Sequence, residues 1–253
     1  MIGIFDSGSG GLTVLRAIRD VVPSADVLYF GDIRNAPYGT RSREELSKLT
    51  VGAMRYLLEN GATSIVSACN SVSASLAVSL FDAFALSPDR LIEMVGPTVR
   101  ALKDAPGRAV LFATPATIDA QIYQTGFHMI GKDVAYVAIP ELAGAIEMGQ
   151  PAEEIGSIVR TAVEAVDWTG VDTAILACTH YPLVLSAFRA AIPPRVDIFD
   201  PALAVAERVE ERLWPREAGD GRLRFVITRD SDTFRGHVER LFPDSAYLVE
   251  VLE

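Results

Sequence analysis

Lysine is nearly missing from this chain. Only Lys48, Lys103 and Lys132 stand against twenty arginines, and none of the three lies in a motif described below, so a cofactor held as a Schiff base has no obvious anchor. Cysteine is scarcer still, with Cys69 and Cys178 alone, and the three histidines (His128, His180, His237) are scattered. That spacing fits no zinc pattern and argues against a metal site. No apolar run approaches the roughly 18 to 20 residues that a membrane span requires. No charged n-region and apolar h-region open the chain, so the expectation is a cytoplasmic protein without a membrane partner. In a reducing compartment two distant cysteines are expected as free thiols. Positive charge is short as well. With 23 Lys and Arg against 33 Asp and Glu, the net charge is −10 and no basic cluster offsets it, which argues against a nucleic-acid partner.

What remains is an ordinary globular composition, 49 % hydrophobic and 22 % charged over 253 residues, enough to bury one large core or two smaller ones. The chain organises around Ile175-Leu176-Ala177-Cys178-Thr179-His180-Tyr181-Pro182-Leu183. A short apolar run enters a cysteine, polar residues and a proline, and then apolar residues recur at helical spacing. This reads as a buried strand, a polar elbow and a helix. A thiol is thereby placed at the carboxyl end of a strand, where α/β proteins keep their ligands. Gly61 through Ala68-Cys69 repeats the arrangement of Gly170 through Ala177-Cys178, with glycine and cysteine eight positions apart in both. Phe5 and Phe112, in the strands that open each half, are 107 positions apart, and the cysteines 109. The two offsets nearly agree and predict an α/β fold of two pseudo-symmetric domains with mostly parallel sheets, their thiols on opposite sides of one interdomain cleft. The second half is expected to open at Gly96-Pro97.

Along the chain, strand 2–5 runs into Asp6-Ser7-Gly8-Ser9-Gly10-Gly11 and an apolar helix. Such glycines permit a tight turn and close approach of a ligand, although their spacing is not that of a dinucleotide loop. Ser42-Arg43-Glu44-Glu45 is a capping box, and its helix is expected to stop at Asn60-Gly61. Strand 63–68 delivers Cys69 to the start of a helix carrying Asn70, Ser71 and Ser73, a setting expected to lower the thiol's pKa. Leu91 to Val95 reads as a strand, Val99 to Lys103 as a helix, and Thr114 and Thr117 as a turn before a helix with Tyr123. Glu141 to Met148 reads as a helix holding Glu147, which by itself reads as a solvated carboxylate on a surface. Leu223 to Thr228 and a helix from Ser231 to Leu241 are expected to close the chain.

A thiolate is a good base whose pKa the fold can set near neutrality. Two thiols facing each other across a small-molecule cleft suit inversion at carbon: one removes a proton while the other, still protonated, supplies one to the opposite face. Hydroxyl and N–H donors at Asp6-Ser7, Asn70-Ser71 and Thr179-His180 are placed to hold the charge that builds up. The competing reading makes Cys178 and His180 a nucleophile pair, but residues two apart in an elbow need not touch, and Cys69 is left unexplained.

Asp6-Ser7-Gly8-x-Gly10-Gly11-Leu12-Thr13-Val14-Leu15, Tyr29-Phe30-Gly31-Asp32, Pro37-Tyr38-Gly39, Ala68-Cys69-Asn70 and Cys178-Thr179-His180-Tyr181-Pro182-Leu183 occur in that order. Together they resemble the glutamate racemases of the cofactor-independent aspartate/glutamate racemase superfamily. The resemblance implies interconversion of L- and D-glutamate with no cofactor and no metal, supplying D-glutamate for peptidoglycan. It implies that Cys69 acts on the D-enantiomer and Cys178 on the L-enantiomer, assisted by Asp6 and His180 respectively, with Glu147 as a further catalytic carboxylate. Asp6, Ser7, Pro37, Tyr38, Gly39, Asn70, Ser71, Thr114, Thr117, Thr179 and His180 would bind the substrate. Only the resemblance implies that the second domain spans 96–204, with 205–253 returning to 1–95 in the first domain. Glutamate is the expected partner, and a homodimer is left open. Ser71 stands where the family usually has threonine, Ala113 where it has glycine, and Ile139-Pro140-Glu141 where it has Cys-Pro-Leu. Aspartate or a hydantoin as substrate, and a homologue that mainly binds, are the alternatives.

Overall fold

The computed structural model describes residues 1–73 and 87–252. The continuation of the helix expected after Cys69 lies outside them. Among the described residues ten strands fall into two sheets, β10-β9-β2-β1-β3-β4 and β6-β5-β7-β8. The first holds β1 (Ile2–Asp6), β2 (Val27–Gly31), β3 (Ser64–Ser67), β4 (Leu91–Ile92), β9 (Leu223–Ile227) and β10 (Tyr247–Val251). The second holds β5 (Arg108–Ala113), β6 (Val134–Ala138), β7 (Val171–Ala177) and β8 (Asp197–Phe199). Every ladder between them is parallel.

The orders β2-β1-β3-β4 and β6-β5-β7-β8 are the same path traced twice. The half-repeat legible in the two Gly-to-Cys segments is therefore a repeat of topology, and each cysteine follows the third strand of its half. Parallel strands need crossovers, and helices on both faces bury them, so the strands are apolar on both sides. Successive residues alternate between the two cores. Ile2, Ile4, Val27, Tyr29, Phe225 and Ile227 pack with helices Leu12–Val21, Pro201–Leu213 and Asp232–Leu241. Phe5, Leu28, Phe30, Ile65 and Val226 face the other way, toward helix Arg43–Glu59. In the second sheet Val110, Phe112, Ala174 and Leu176 alternate likewise with Ala109, Leu111, Ala113, Ile175 and Ala177.

Helix Arg43–Glu59 begins as its capping box predicts: Ser42 Oγ accepts from the Glu45 N–H while Glu45 accepts from the Ser42 N–H. Ser42→Ala is expected to cost about 1 kcal/mol of stability and leave turnover unchanged, which urea unfolding and a rate assay check together.

Two local expectations are corrected. The strand at Leu91 stops at Ile92, because the Glu93 carboxylate accepts from the N–H groups of Val95 at 2.5 Å and Gly96 at 2.6 Å. Those bonds start helix Val95–Ala101 earlier than its apolar spacing suggests. The chain also does not close on its last helix. After Asp232–Leu241, β10 adds to β9 at the sheet edge, with Tyr247, Leu248 and Val251 exposed. An edge strand lacks the buried face that makes a strand conspicuous in sequence.

Candidate active site

The carboxyl ends of the strands carry the polar residues singled out by sequence. Asp6 ends β1, Asp32 follows β2, Cys69 follows β3, Thr114 follows β5 and Cys178 follows β7. The two sheets bring these ends together, and hydrogen bonds cross between them.

Asp6 is fully buried. Its Oδ1 accepts from the Gly8 N–H at 2.9 Å, and its Oδ2 accepts from Thr179 Oγ1, on the other sheet's elbow, at 3.0 Å. Burial pushes the Asp6 carboxyl pKa up, opposed by the neighbouring His180 charge and by these donors. Glycine stands at positions 8 and 10 of the loop after it because other groups lie almost on the backbone there. A Cβ at Gly8 would fall on Glu147 Oε2, and one at Gly10 would meet Thr179 Oγ1 at 2.5 Å.

Cys69 is buried with its Sγ 3.8 Å from Ser7 Oγ. The expected lowering of its pKa does not occur. Burial pushes the thiol up to about 12, the Asp6 and Cys178 charges add to that, and the Val72 N–H and Ser7 oppose it only in part. Desolvation of an anion outweighs a few donors at a helix start, so Cys69 is a thiol at neutral pH in this state.

Cys178 is also buried, and its Sγ lies 4.0 Å from His180 Nδ1. The elbow thus does bring the two side chains together, although residues two apart need not meet. His180 Nε2 is 2.6 Å from Glu147 Oε2. Glu147 is only 7 % exposed, which overturns its reading as a solvated helix end. Burial alone would lower the His180 pKa, but bonding to Cys178 and Glu147 outweighs it and raises the pKa well above the usual 6.5. For Glu147, burial raises and the bonds from His180 and Ser9 lower, with a net lowering. Both directions favour an imidazolium paired with a carboxylate.

The hydroxyls of Ser71, Thr114 and Thr117 form a cluster, with Ser71 to Thr114 at 2.9 Å and Thr114 to Thr117 at 3.0 Å. Thr114 also caps helix Pro115–Asp119, so Thr117 lies within that helix and not in the expected turn. Asn70 Oδ1 accepts from Tyr123 OH at 2.6 Å, while Asn70 Nδ2 is buried with no partner among the described residues. Pro37 and Glu147 both line a cavity of about 360 Å³. Gly39 packs on Thr114 and accepts from the Ala116 N–H at 2.9 Å. Most of the residues expected from sequence are therefore linked by contacts around the strand ends, whereas the Tyr38 ring is buried in the first sheet's core with its OH on Asp32. No group of three or more His, Cys, Asp or Glu side chains suited to a metal ion occurs among the described residues.

Four further residues of the site become visible only through the fold. Ser9 donates to Glu147, Tyr29 OH donates to the Gly8 carbonyl at 2.7 Å, Tyr123 holds Asn70, and Asp32 holds Tyr38. Asp32 stands inside one of the family motifs, yet its partners lie elsewhere in the chain. Its carboxylate accepts from Tyr38 OH at 2.5 Å, Asn35 Nδ2 at 3.0 Å and Thr228 Oγ1 at 2.8 Å. The Tyr38 phenol is thereby committed to Asp32, and the segment 37–39 is anchored from behind. Asp32→Ala is expected to raise KM about tenfold, the size of one lost charge-assisted hydrogen bond, with a smaller fall in kcat; steady-state kinetics in both directions measure the split.

This geometry has counterparts. The family model described as Asp/Glu/Hydantoin racemase matches residues 12–209. A protein named glutamate racemase from Paracoccus denitrificans is 35 % identical, the match covering 93 % of this chain and 94 % of that one. The structure of a glutamate racemase isoform from Bacillus anthracis superposes with a TM-score of 0.88 at 27 % identity, covering 100 % of this chain and 97 % of that one. The glutamate racemase of Francisella tularensis, solved in complex with D-glutamate, gives 0.86 at 25 % identity, covering 100 % of this chain and 97 % of that one. With a model match spanning most of its length and a relative of this similarity, the chain belongs to the Asp/Glu/Hydantoin racemase family.

Proposed function

We propose that the protein interconverts L- and D-glutamate by proton transfer between two thiols and the α-carbon, using no cofactor. The observation that carries this reading is the placement of one buried cysteine after the third strand of each topologically equivalent half. Each has acid–base company: Cys69 with Ser7 and the Asp6 charge, Cys178 with the His180–Glu147 pair. Similarity to relatives named glutamate racemase supports glutamate as the substrate. Supply of D-glutamate for peptidoglycan is the role that follows from it.

In the L-to-D direction the Cys178 thiolate takes the α-proton, and the electron pair of that C–H bond moves toward the α-carboxylate. The Cys69 thiol then delivers its proton to the opposite face and becomes a thiolate. Its high pKa in the resting state suits that donor role. The reverse reaction exchanges the two roles. The His180 imidazolium stands where it stabilises a thiolate at Cys178 and returns a proton to it. The buried Asn70 Nδ2 and the Ser71, Thr114 and Thr117 hydroxyls are donors available to carboxylate oxygens, and they hold the growing negative charge without a metal.

The test is proton NMR of L-glutamate with the purified protein in D2O, with chiral chromatography and mass spectrometry to separate the enantiomers and read their deuterium. The α-proton signal is expected to fall as D-glutamate appears. Early D-glutamate should carry deuterium while unreacted L-glutamate keeps its proton, since donor and acceptor are different groups. No exchange would overturn the assignment to glutamate, and the same assay run with aspartate and hydantoins then identifies the substrate.

A further inference from the structure

The proposed chemistry uses Cys178, His180 and Glu147 but gives no role to Ser9, a fully buried residue of the glycine loop. Its N–H and its Oγ each lie 2.8 Å from Glu147 Oε2, the oxygen that also faces His180 Nε2 at 2.6 Å. Three donors thus converge on one carboxylate oxygen. Two of them come from the loop after β1 and one from the elbow after β7, while Glu147 Oε1 is buried without a partner among the described residues. We propose that Ser9 is a positioning residue, clamping Glu147 from the other half of the molecule so that His180 meets Cys178 in one orientation and one charge state.

The chemistry is specific to a hydroxyl. A serine at this position adds a second donor to the backbone N–H, and an alanine removes only that. Each hydrogen bond to the ionised carboxylate favours the carboxylate, and the carboxylate in turn favours the imidazolium. Other ionisable groups among the described residues also face the pair, and Arg229 and Asp230 line the same cavity as Glu147. Asp6 acts on His180, Cys178 lies against its Nδ1, and Tyr29 feels the Glu147 charge. His237, on helix Asp232–Leu241, is coupled to both and is engaged at Nδ1 by Arg240. None of these donates a hydrogen bond to Glu147, so the Ser9 hydroxyl is the group whose removal alters that carboxylate directly.

This inference rests on the racemase reading for its meaning, but its test does not. Ser9→Ala is expected to lower the His180 pKa by roughly one pH unit, the size of one charge-assisted hydrogen bond lost from its partner. NMR of ring-labelled histidine in the purified protein reads this with no substrate present. The alkaline limb of the kcat/KM profile should move down by the same amount, while Ser9→Thr, which keeps the hydroxyl, should titrate as the unaltered protein does. Ser9→Gly gives the same readout should the alanine form misfold. A His180 titration unmoved in Ser9→Ala or Ser9→Gly would overturn the role of Ser9, whatever the enzyme turns over. A shifted titration in a protein inactive on glutamate would leave the clamp standing and count against the substrate alone.

Discussion

Cys69→Ser and Cys178→Ser are each expected to lower racemisation by roughly 10³- to 10⁴-fold, the upper range for losing a positioned acid–base group. A serine hydroxyl nearly preserves the shape of the thiol but is a far weaker acid, so neither proton removal nor delivery proceeds at a useful rate. The site gives little means of rescue, because both residues are buried, which keeps solvent from standing in for the missing proton carrier. The cost to stability should be small, so a melting curve close to that of the unaltered protein separates lost chemistry from lost fold. Whatever α-proton exchange survives should be confined to the enantiomer that faces the remaining thiol. An active double-serine variant would sink the two-thiol mechanism altogether.

Much of this site is legible in the amino-acid sequence. The Gly-to-Cys echo ending at Cys69 and Cys178 points to two equivalent strands, and β3 and β7 occupy equivalent places in two sheets of the same order. A parallel strand buried on both faces shows as an apolar run, and a polar residue directly after it is visible by contrast. Glu147 is less legible. Nothing in helix Leu142–Glu147 says that its last residue is buried, because the residues that bury it, Ser9 and His180, are 138 and 33 positions away. The role of Tyr123 is hidden for the same reason, since Asn70 lies 53 positions away, whereas Asp32 and Tyr38 are only six apart and are hidden because a loop has no periodicity to show which side chains meet. For Cys69 the expectation errs on magnitude. The donor at the helix start is present at Val72, but complete burial of the thiol outweighs it. The edge strand β10 escapes a reading of the sequence because it presents no buried run.

His180→Asn is expected to lower kcat by about 10²- to 10³-fold, and the two directions must agree in one respect. L- and D-glutamate are mirror images of equal free energy, so their equilibrium constant is unity for any enzyme. The ratio kcat/KM must therefore fall equally for both enantiomers in every variant, and a role on one side of the site appears only as a different split between kcat and KM. Because His180 touches Cys178, the larger change in kcat is expected in whichever direction proton transfer at Cys178 limits turnover. Glu147→Gln should resemble His180→Asn, and the double variant should be little worse than either single one, since the two residues act as one unit. Stability gives an independent measure. Glu147 has a lowered pKa, so its contribution is present above about pH 4.5 and is lost as pH falls through its folded value. His180 has a raised pKa, so its contribution is full below about pH 6.5 and is lost as pH rises through its folded value. Both are complete only between those limits, and there Glu147→Gln, which leaves a buried imidazolium without its counter-charge, should cost about 3 kcal/mol. The difference in melting temperature from the unaltered protein should therefore be greatest at mildly acid pH and shrink under alkaline conditions. A difference constant from pH 5 to 10 would mean that pairing with Glu147 leaves the protonation of His180 unchanged, and the imidazolium would lose its place in the mechanism.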